Sequence, residues 1–365
     1  MRILFRYVFR EFCIPLTYCL TGFLSIYVLF ELFGVFNRMM EAKPGWYSAV
    51  AYFAGYLAPY FEWLAPACLM LATLYTMWSF CRHSELIAMR ASGVGFFSIV
   101  RPMLFAAAIM AGIVSWVNES FVPKYGQWAK QFRTAKFKAS EMQHLDNIVF
   151  HNVSASRTWN IGAVLNDDAT VLEDVNISED WPSGGRKRTI KAPRAEFLDG
   201  EWWMMNPVAF HFDANGAEIP SPVAELEKLT FRKFPEISEI PRDFILQNRD
   251  PAFYSTSDRI RFMRTHPNMS AKFRREMEYD LWAQLMSPMA CIVITLFAIP
   301  AGVATGRQSV FKGIVGALVM FFAFYALTIG CLVLARIGYL PALPAAILPG
   351  VVFLGAGIWL FYRQR

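Results

Sequence analysis

The sequence predicts a membrane α-helical protein in which six transmembrane helices, three before and three after, flank an inserted all-β domain. Three observations carry this prediction. The chain is 55% hydrophobic and only 18% charged, whereas soluble domains average about 45–50% apolar and about 25% charged residues. The charges are concentrated in residues 118–280, which hold 22 basic and 24 acidic side chains. Long apolar runs lie on both sides of that block, which divides the chain into 1–117, 118–280 and 281–365.

Six apolar runs are each long enough to cross a bilayer, whose hydrocarbon core takes about 20 helical residues. They cover residues 12–36, 51–80, 99–117, 281–303, 310–334 and 343–361. The second run contains Pro59, Glu62 and Pro66, and we expect it to kink because neighbouring helices can satisfy the backbone groups that proline frees. The first run exceeds the roughly 7–15 apolar residues of a signal peptide, so it is predicted to persist as a helix.

Basic residues beside the runs predict the orientation of the chain. If the amino terminus is cytoplasmic, the inner segments carry ten Lys and Arg residues, whereas the short outer loops carry three. Positive charge accumulates in the short cytoplasmic segments of membrane proteins. Both termini are therefore predicted to be cytoplasmic, and the large polar domain is predicted to lie on the outer side.

The net charge of +6 does not indicate nucleic-acid binding. The polar domain is slightly acidic, and the positive surplus lies beside the apolar runs. All six cysteines also lie in or beside those runs, without the spacing of a metal site. The histidines and carboxylates of the polar domain are scattered along it. The sequence thus predicts no catalytic residue, no metal site and no cofactor in this chain.

Short runs of β-branched and aromatic residues predict strands in the polar domain. The clearest cover residues 148–153, 159–165, 188–197, 202–205 and 208–212, with turn-forming residues at 166–168, 183–185, 199–200 and 215–216. This pattern is typical of a sandwich, a barrel or a jelly roll. Asp199-Gly200 is a good hairpin signal. Helices are expected at 122–141 and 257–280, the second with Ser257 and Asp258 as plausible cap residues.

The loop between the second and third runs predicts a short cytoplasmic helix at about residues 84–93. Ser84 suits the N-cap, Glu85 suits the first turn, and Gly93 suits the C-terminal end. So short a helix is marginal alone. Its apolar side chains are expected to have little of their own protein to bury against; these are Leu86, Ile87 and Met89. The segment is either a turn resting on the membrane or a plug that docks into a soluble partner.

Basic residues cluster at the predicted outer membrane surface. They follow the first and third runs: Arg38, Lys43, Lys124, Lys130, Arg133, Lys136 and Lys138. Interfacial anchoring would account for them, and so would a clamp for anionic lipid head groups. Glu31 and Glu62 lie within apolar runs, where carboxylates are functional candidates by default.

Four motifs run in order along nearly the whole chain. They are L-A-P at 64–66 leading to R-H-S-E-L…R-A-S-G at 82–93, N-E…P…R at 118–133, F-A-I-P-A-G at 297–302, and L-P-A…L-P-G at 340–350. In this order they resemble the LptF/LptG permease family, the membrane subunits of the lipopolysaccharide-exporting ABC transporter. Residues 84–93 and 119–133 and the short C-terminal tail are more similar to LptG than to LptF.

The resemblance implies a periplasmic β-jellyroll between the third and fourth helices of a bacterial inner-membrane protein. It implies a partner permease of the LptF/LptG type, an LptB-type ATPase dimer, and LptC-type and LptA-type periplasmic proteins that receive the lipopolysaccharide. ATP and Mg²⁺ would be bound by the ATPase, since this chain has no P-loop motif.

The resemblance also implies two sets of site residues. The short cytoplasmic helix would be the coupling helix, and its ATPase-coupling residues are predicted to be Arg82, Ser84, Glu85, Leu86, Met89 and Arg90. Arg133 and Lys136 match the family's lipid-phosphate contacts. The predicted substrate-binding residues are Arg38, Lys43, Lys130, Arg133 and Lys136. The family pattern leads us to expect a basic residue in the outer half of the first helix. This chain departs from the pattern, because it has Gly34 there.

Three other classes of protein compete with this interpretation. A permease of another export system, such as a lipoprotein or macrolide exporter, would usually have four spans with the large domain after the first. The main alternative is a membrane-anchored envelope enzyme that acts on a lipid or glycan through its outer domain, which would require clustered acidic or histidine side chains near the interface. A secondary transporter would favour charged pairs or broken helices within repeated halves, whereas residues 281–365 contain no Asp or Glu.

Overall fold

The chain forms two compact units. The computed structural model describes residues 2–137, 146–152, 155–166, 168–181, 185–213, 217–219, 231–248, 250–267, 269–307 and 310–363. The first unit comprises Met1–Lys130 and Ser270–Arg365, and the second comprises Gln131–Met269.

The first unit begins with four helices. The first three contain the first two apolar runs, and the fourth is short. Helix α1 spans Arg2–Ala42. Helices α2, Trp46–Leu57, and α3, Phe61–Arg82, are separated by a 3-10 turn at Ala58–Tyr60. The second run is therefore interrupted at Pro59, where proline removes a backbone donor. Helix α4 follows at Glu85–Ala91.

The third run continues as a helix beyond its predicted end. Helix α5 spans Phe96–Trp116, a π-helical segment covers Val117–Gly126, and α6 spans Gln127–Thr134. A Cβ on Gly55 would overlap the carbonyl oxygen of Tyr125, so α2 and the π segment pack closely. The helix predicted at 122–141 was wrong at its end, because it stops at Thr134; residues 138–145 lie outside the described residues.

The second unit is built on an eight-stranded antiparallel sheet. The strands are β1 Asp146–Asn152, β2 Arg157–Val164, β3 Val171–Asp180, β4 Arg186–Leu198, β5 Glu201–Met205, β6 Val208–Phe212, β7 Glu218–Ile219 and β8 Phe231–Lys233. Their order is β1-β2-β3-β4-β5-β8, with β6 pairing β4 and β7. The predicted inserted β domain is confirmed, and β3 is a strand that the sequence pattern did not identify.

Strand β4 is long enough to pair with two successive strands along one edge. Residues 194–198 face β5, and residues 188–191 face β6. The predicted hairpin at Asp199-Gly200 is confirmed, because both residues have positive φ and join Leu198 to Glu201. The predicted turns at 183–185 and 215–216 lie largely outside the described residues.

Two helices close the second unit. Helix α7 spans Pro241–Asn248, and α8 spans Thr256–Thr265. The helix predicted at 257–280 is divided, because α8 ends at Thr265 and another helix begins at Ala271. The N-cap of α8 is Ser255 rather than Ser257, and Ser255 forms a capping box with Asp258. Helix α8 stops before Pro267, because the residue preceding a proline disfavours helical backbone.

The fourth apolar run is also divided. Helix α9 spans Ala271–Met286, and α10 spans Met289–Arg307, with a bend of 53° between the two helices. Pro288 at the break has no N–H to donate to the carbonyl of Gln284. The Ser287 hydroxyl donates to that carbonyl instead, with an oxygen–oxygen distance of 3.3 Å.

Helices α11, Val310–Ile337, and α12, Ala342–Arg363, complete the chain. Among the described residues, five helices are long and apolar enough to cross a membrane, or six if the bent α9–α10 pair is one span. The prediction of six spans is consistent with this count when α9 and α10 form one span. The bend at Pro288, within the predicted fourth run, was not predicted from the sequence.

Apolar packing defines a core in each unit. In the first, α1, α3, α5 and α10 enclose Phe12, Leu69 and Met103. A Cβ on Gly302 would lie 2.6 Å from the Cβ of Met77, so this glycine allows α10 to approach α3. The core of the second unit contains fully buried aromatic residues, which are Phe150, Trp159, Trp202 and Phe244.

Candidate functional site

Helix α4 is a short helix whose C-terminal end is capped by backbone hydrogen bonds. It closes with the hydrogen bonds of a Schellman motif, from the amide of Gly93 to the carbonyl of Arg90 and from Val94 to Met89. Gly93 has φ +82°, as this motif requires. The predicted capping role of Ser84 was wrong, because Ser84 has φ +58° and its side chain makes no capping hydrogen bond.

The apolar residues of α4 do not all face away from the chain. Leu86 is 5% exposed and belongs to the core that contains Phe12, and Met89 packs against the same core. Ile87 is 60% exposed. The expectation that these side chains lack a protein surface to bury against was therefore wrong for Leu86 and Met89. Burial of Leu86 contributes about 1.5–3 kcal/mol to docking α4 on its own bundle.

The carboxylate of Glu85 is engaged within the chain. The hydroxyl of Tyr7 on α1 donates to Oε2 of Glu85, with an oxygen–oxygen distance of 2.7 Å. The Tyr7 ring also stacks on Phe80, near the end of α3, at 6.1 Å between centroids. Sequence reasoning missed this contact, because its partners are 78 positions apart.

Cationic side chains flank Glu85 on the exposed side. Arg82 and Arg90 are exposed on either side of it along the chain, as is Ser84. The Arg82 guanidinium lies 5.0 Å from the centroid of the Trp78 ring, a cation–π geometry. The predicted coupling residues therefore extend from the end of α3 through α4, with Leu86 directed inward.

The predicted lipid contacts divide between two elements. Lys130 and Arg133 are exposed on α6, one helical turn apart, and Lys136 is exposed just beyond its end. Arg38, near the end of α1, and Lys43, in the turn after α1, are exposed on a different element.

The position of Lys136 follows from the way α6 ends. The amide of Lys136 donates to the carbonyl of Arg133, and the amide of Phe137 donates to Phe132. These are again Schellman bonds, and the Phe132 and Phe137 rings supply the accompanying apolar contact at 5.5 Å. Lys136 has φ +50° at the position that glycine usually occupies. Its ammonium group and Arg133 thus lie where a helix C-terminus favours cations.

The two carboxylates within apolar runs have hydrogen-bond partners. The Tyr52 hydroxyl donates to Glu31 at 2.5 Å, and Glu31 is 7% exposed. The Asn118 amide donates to Glu62 at 2.7 Å and to the Ser287 hydroxyl at 3.3 Å. The Gln284 amide in turn donates to the Asn118 carbonyl at 3.3 Å. This second network joins α3, the π segment and the α9–α10 break.

The described residues contain no group of three or more His, Cys, Asp or Glu side chains that could hold a metal ion.

Trp202 is fully buried and donates from Nε1 to the Glu239 carbonyl at 2.7 Å.

Comparison with known proteins gives one family. The family model described as "Lipopolysaccharide export system permease LptF/LptG" matches residues 6–363. No curated protein sequence gives a significant match.

Proposed function

The chain belongs to the LptF/LptG family of lipopolysaccharide export permeases, and from that premise we propose that it is a membrane subunit of an ATP-driven transporter. The transporter extracts lipopolysaccharide from the outer leaflet of the inner membrane and passes it to a periplasmic bridge. A partner permease of the LptF/LptG type completes the membrane part, and this chain takes the LptG position. LptC-type and LptA-type proteins receive the lipid.

The observation that carries the proposal is the construction of α4. The helix is fixed to its own bundle by Leu86, yet it presents Ile87 and Arg90 outward, and Arg82 at the end of α3 is exposed as well. An apolar side chain surrounded by charged groups is suited to docking in a groove of a soluble protein. An LptB-type ATPase dimer is the occupant that the family suggests, and it binds ATP and Mg²⁺. The chain itself acts as a permease subunit.

The cationic end of α6 suits the lipid. Lipopolysaccharide has phosphate groups on its lipid anchor, and Lys130, Arg133 and Lys136 are exposed cations on or beside one helix. Arginine can bind phosphate through two parallel hydrogen bonds. Arg38 and Lys43 supply further positive charge after α1. We propose that these residues hold head-group phosphates while the acyl chains remain in an apolar environment.

The energetics explain why such a lipid needs a protein path. Each buried acyl CH₂ group contributes about 0.8 kcal/mol, so one 12-carbon chain contributes roughly 10 kcal/mol. A lipid with several chains cannot cross water at a useful rate. It requires an apolar cavity in the membrane and an apolar surface in the periplasmic domain, with ATP hydrolysis driving the transfer.

The first experiment is co-purification of the tagged chain with its ATPase. We expect the wild type to retain a soluble ATPase in mild detergent and Glu85→Arg to lose it, because the substitution reverses the charge at the centre of the docking surface. Glu41→Arg is the matched control, since Glu41 is an exposed carboxylate at the end of α1. Retention by Glu85→Arg would contradict the assignment of α4. Failure of the wild type to bind any ATPase would favour the envelope-enzyme alternative.

A further inference from the structure

We propose that Tyr7 is a positioning residue for Glu85 and that their hydrogen bond transmits movement between α4 and α1. The inference rests on the proposed function, since it assumes that an ATPase docks on α4. It adds a residue outside the coupling helix and a route by which docking would reach the first transmembrane helix.

The geometry of the contact supports positioning rather than an incidental approach. The Tyr7 hydroxyl lies 2.7 Å from Oε2 of Glu85, within the range of a hydrogen bond to a charged acceptor. The Tyr7 ring is stacked on Phe80 with an interplanar angle of 26°. The phenol is therefore held at both its ring and its hydroxyl, and it fixes one oxygen of the carboxylate.

The chemistry of the donor leaves the carboxylate competent for a partner. Tyr7 is a neutral donor, so the hydrogen bond does not cancel the negative charge of Glu85 as an arginine would. An ionised carboxylate has about four lone-pair sites on two oxygens. A cation of a docked subunit can thus bind Glu85 while Tyr7 remains in place, and it meets a carboxylate that is already oriented.

Packing around the contact places α4 and the start of α1 in the same apolar core. Val8, next to Tyr7 in sequence, is fully buried, and so is Phe12 one turn later. Both belong to the core that contains Leu86 and Phe80. Displacement of α4 would therefore have to carry the start of α1 with it or break this core and the Tyr7–Glu85 hydrogen bond. We infer that α1 receives the movement.

The test compares Tyr7→Phe with Glu85→Gln and the double variant in the assembled transporter. Tyr7→Phe removes only the hydroxyl and keeps the ring on Phe80. We expect it to weaken ATPase binding about tenfold, the lower limit for a hydrogen bond to a charged group, and to lower the lipopolysaccharide released per ATP hydrolysed. The double variant should bind no more weakly than Glu85→Gln, because the hydroxyl then has no charged acceptor to position.

The control is Tyr18→Phe, at an exposed tyrosine further along α1, which should match the wild type. Unchanged binding and unchanged release per ATP in Tyr7→Phe would overturn the inference, and so would additive losses in the double variant. These outcomes are distinct from failure of the proposed function, in which the wild-type chain itself would bind no ATPase.

Discussion

At the residue scale, the β domain contains a buried ion pair. Nη1 of Arg157 lies 2.7 Å from Oε2 of Glu239, and the two side chains are only 5% and 1% exposed. The Asn152 amide donates to the other carboxylate oxygen at 2.8 Å. Charges so far from water are tolerated only when they are paired and hydrogen-bonded. The pair thereby ties the segment around Glu239 to strands β1 and β2.

Substitution of Arg157 by alanine should destabilise the β domain by about 3–5 kcal/mol, because Glu239 would remain buried without its cation. Lys233→Ala is the matched control. It removes an ion pair to Glu201 whose side chains are 55% and 36% exposed, and should cost at most about 1 kcal/mol. Hydrogen exchange of β1 and β2 in the intact chain measures both. Equal effects of the two substitutions would contradict the prediction.

His266 should make the β domain sensitive to acid. Burial lowers the pKa of His266 below its ordinary value of 6.5, and nearby His151 adds to this, against the opposing effects of the Phe262 carbonyl and Asp243. The ring stacks on Phe262 at 4.2 Å. Because the folded-state pKa is the lower one, the unfolded chain binds the proton first, and stability declines as the pH falls below 6.5.

Hydrogen exchange of α8, corrected for its intrinsic pH dependence, provides the measurement. Protection should fall between about pH 7.5 and about pH 5.5 in the wild type and fall less in His266→Phe. His211→Phe, at an exposed position of β6, should retain the wild-type dependence. The idea fails if His266→Phe loses protection with acid as steeply as the wild type.

At the element scale, helix approach depends on where glycine lies. Gly302 lies in α10 where a Cβ would be 2.6 Å from the Cβ of Met77 on α3, whereas a Cβ on Gly316 in α11 would meet nothing within 4 Å. The first glycine therefore sets a helix–helix distance. The second only lowers the helix propensity of α11.

Alanine at these two positions should shift stability in opposite directions. Gly302→Ala should destabilise the bundle by about 1–3 kcal/mol, because the helices must separate. Gly316→Ala should stabilise it by about 0.5–1 kcal/mol, because it restricts the unfolded chain without a clash. The temperature at which half the detergent-solubilised protein remains monodisperse reports the change. A Gly302→Ala protein as stable as the wild type would show that α3 and α10 are not closely packed.

At the scale of the whole molecule, the charge asymmetry sets the orientation that we propose. Ten Lys and Arg residues flank the runs on one side and three on the other, and positive segments remain in the cytoplasm. The chain alternates between apolar helices and one polar domain. The amino terminus, α4 and the carboxyl terminus should therefore share one side, and the β domain should lie on the other.

Cysteine accessibility tests this topology in cells. Arg101→Cys near the start of α5 should react with a membrane-impermeant maleimide only after lysis, and Lys191→Cys on β4 should react once the outer membrane is permeabilised. Both native side chains are exposed. The unmodified chain, with six cysteines in or near the helices, gives the background. Reaction of Arg101→Cys before Lys191→Cys would contradict the proposed orientation.

Local signals account for what sequence reasoning predicted correctly. Apolar runs identify the helices, because successive side chains of a membrane-spanning helix contact either lipid or the protein core. Asp199-Gly200 and Gly93 are identifiable because positive φ favours glycine and its short polar neighbours. Strand β3 was missed because it carries acidic residues at Glu173, Asp174, Glu179 and Asp180. The basic residues of β4 offset them, as when Arg188 and Lys187 pair with Glu179.

By itself, the sequence determined that one part of this protein is built for lipid and another for water. It also determined where the apolar helices lie, which inserted segment is β-rich, and which family's motifs the chain carries. Each of these depends on neighbours along the chain. Only the tertiary structure decided that Leu86 is buried, that Ser84 does not cap α4, that Tyr7 reaches Glu85, and that Asn118 joins Glu62 to Ser287. Those contacts connect residues far apart in sequence, so composition and spacing carry no record of them. The geometry of packed helices and paired strands brings such residues together.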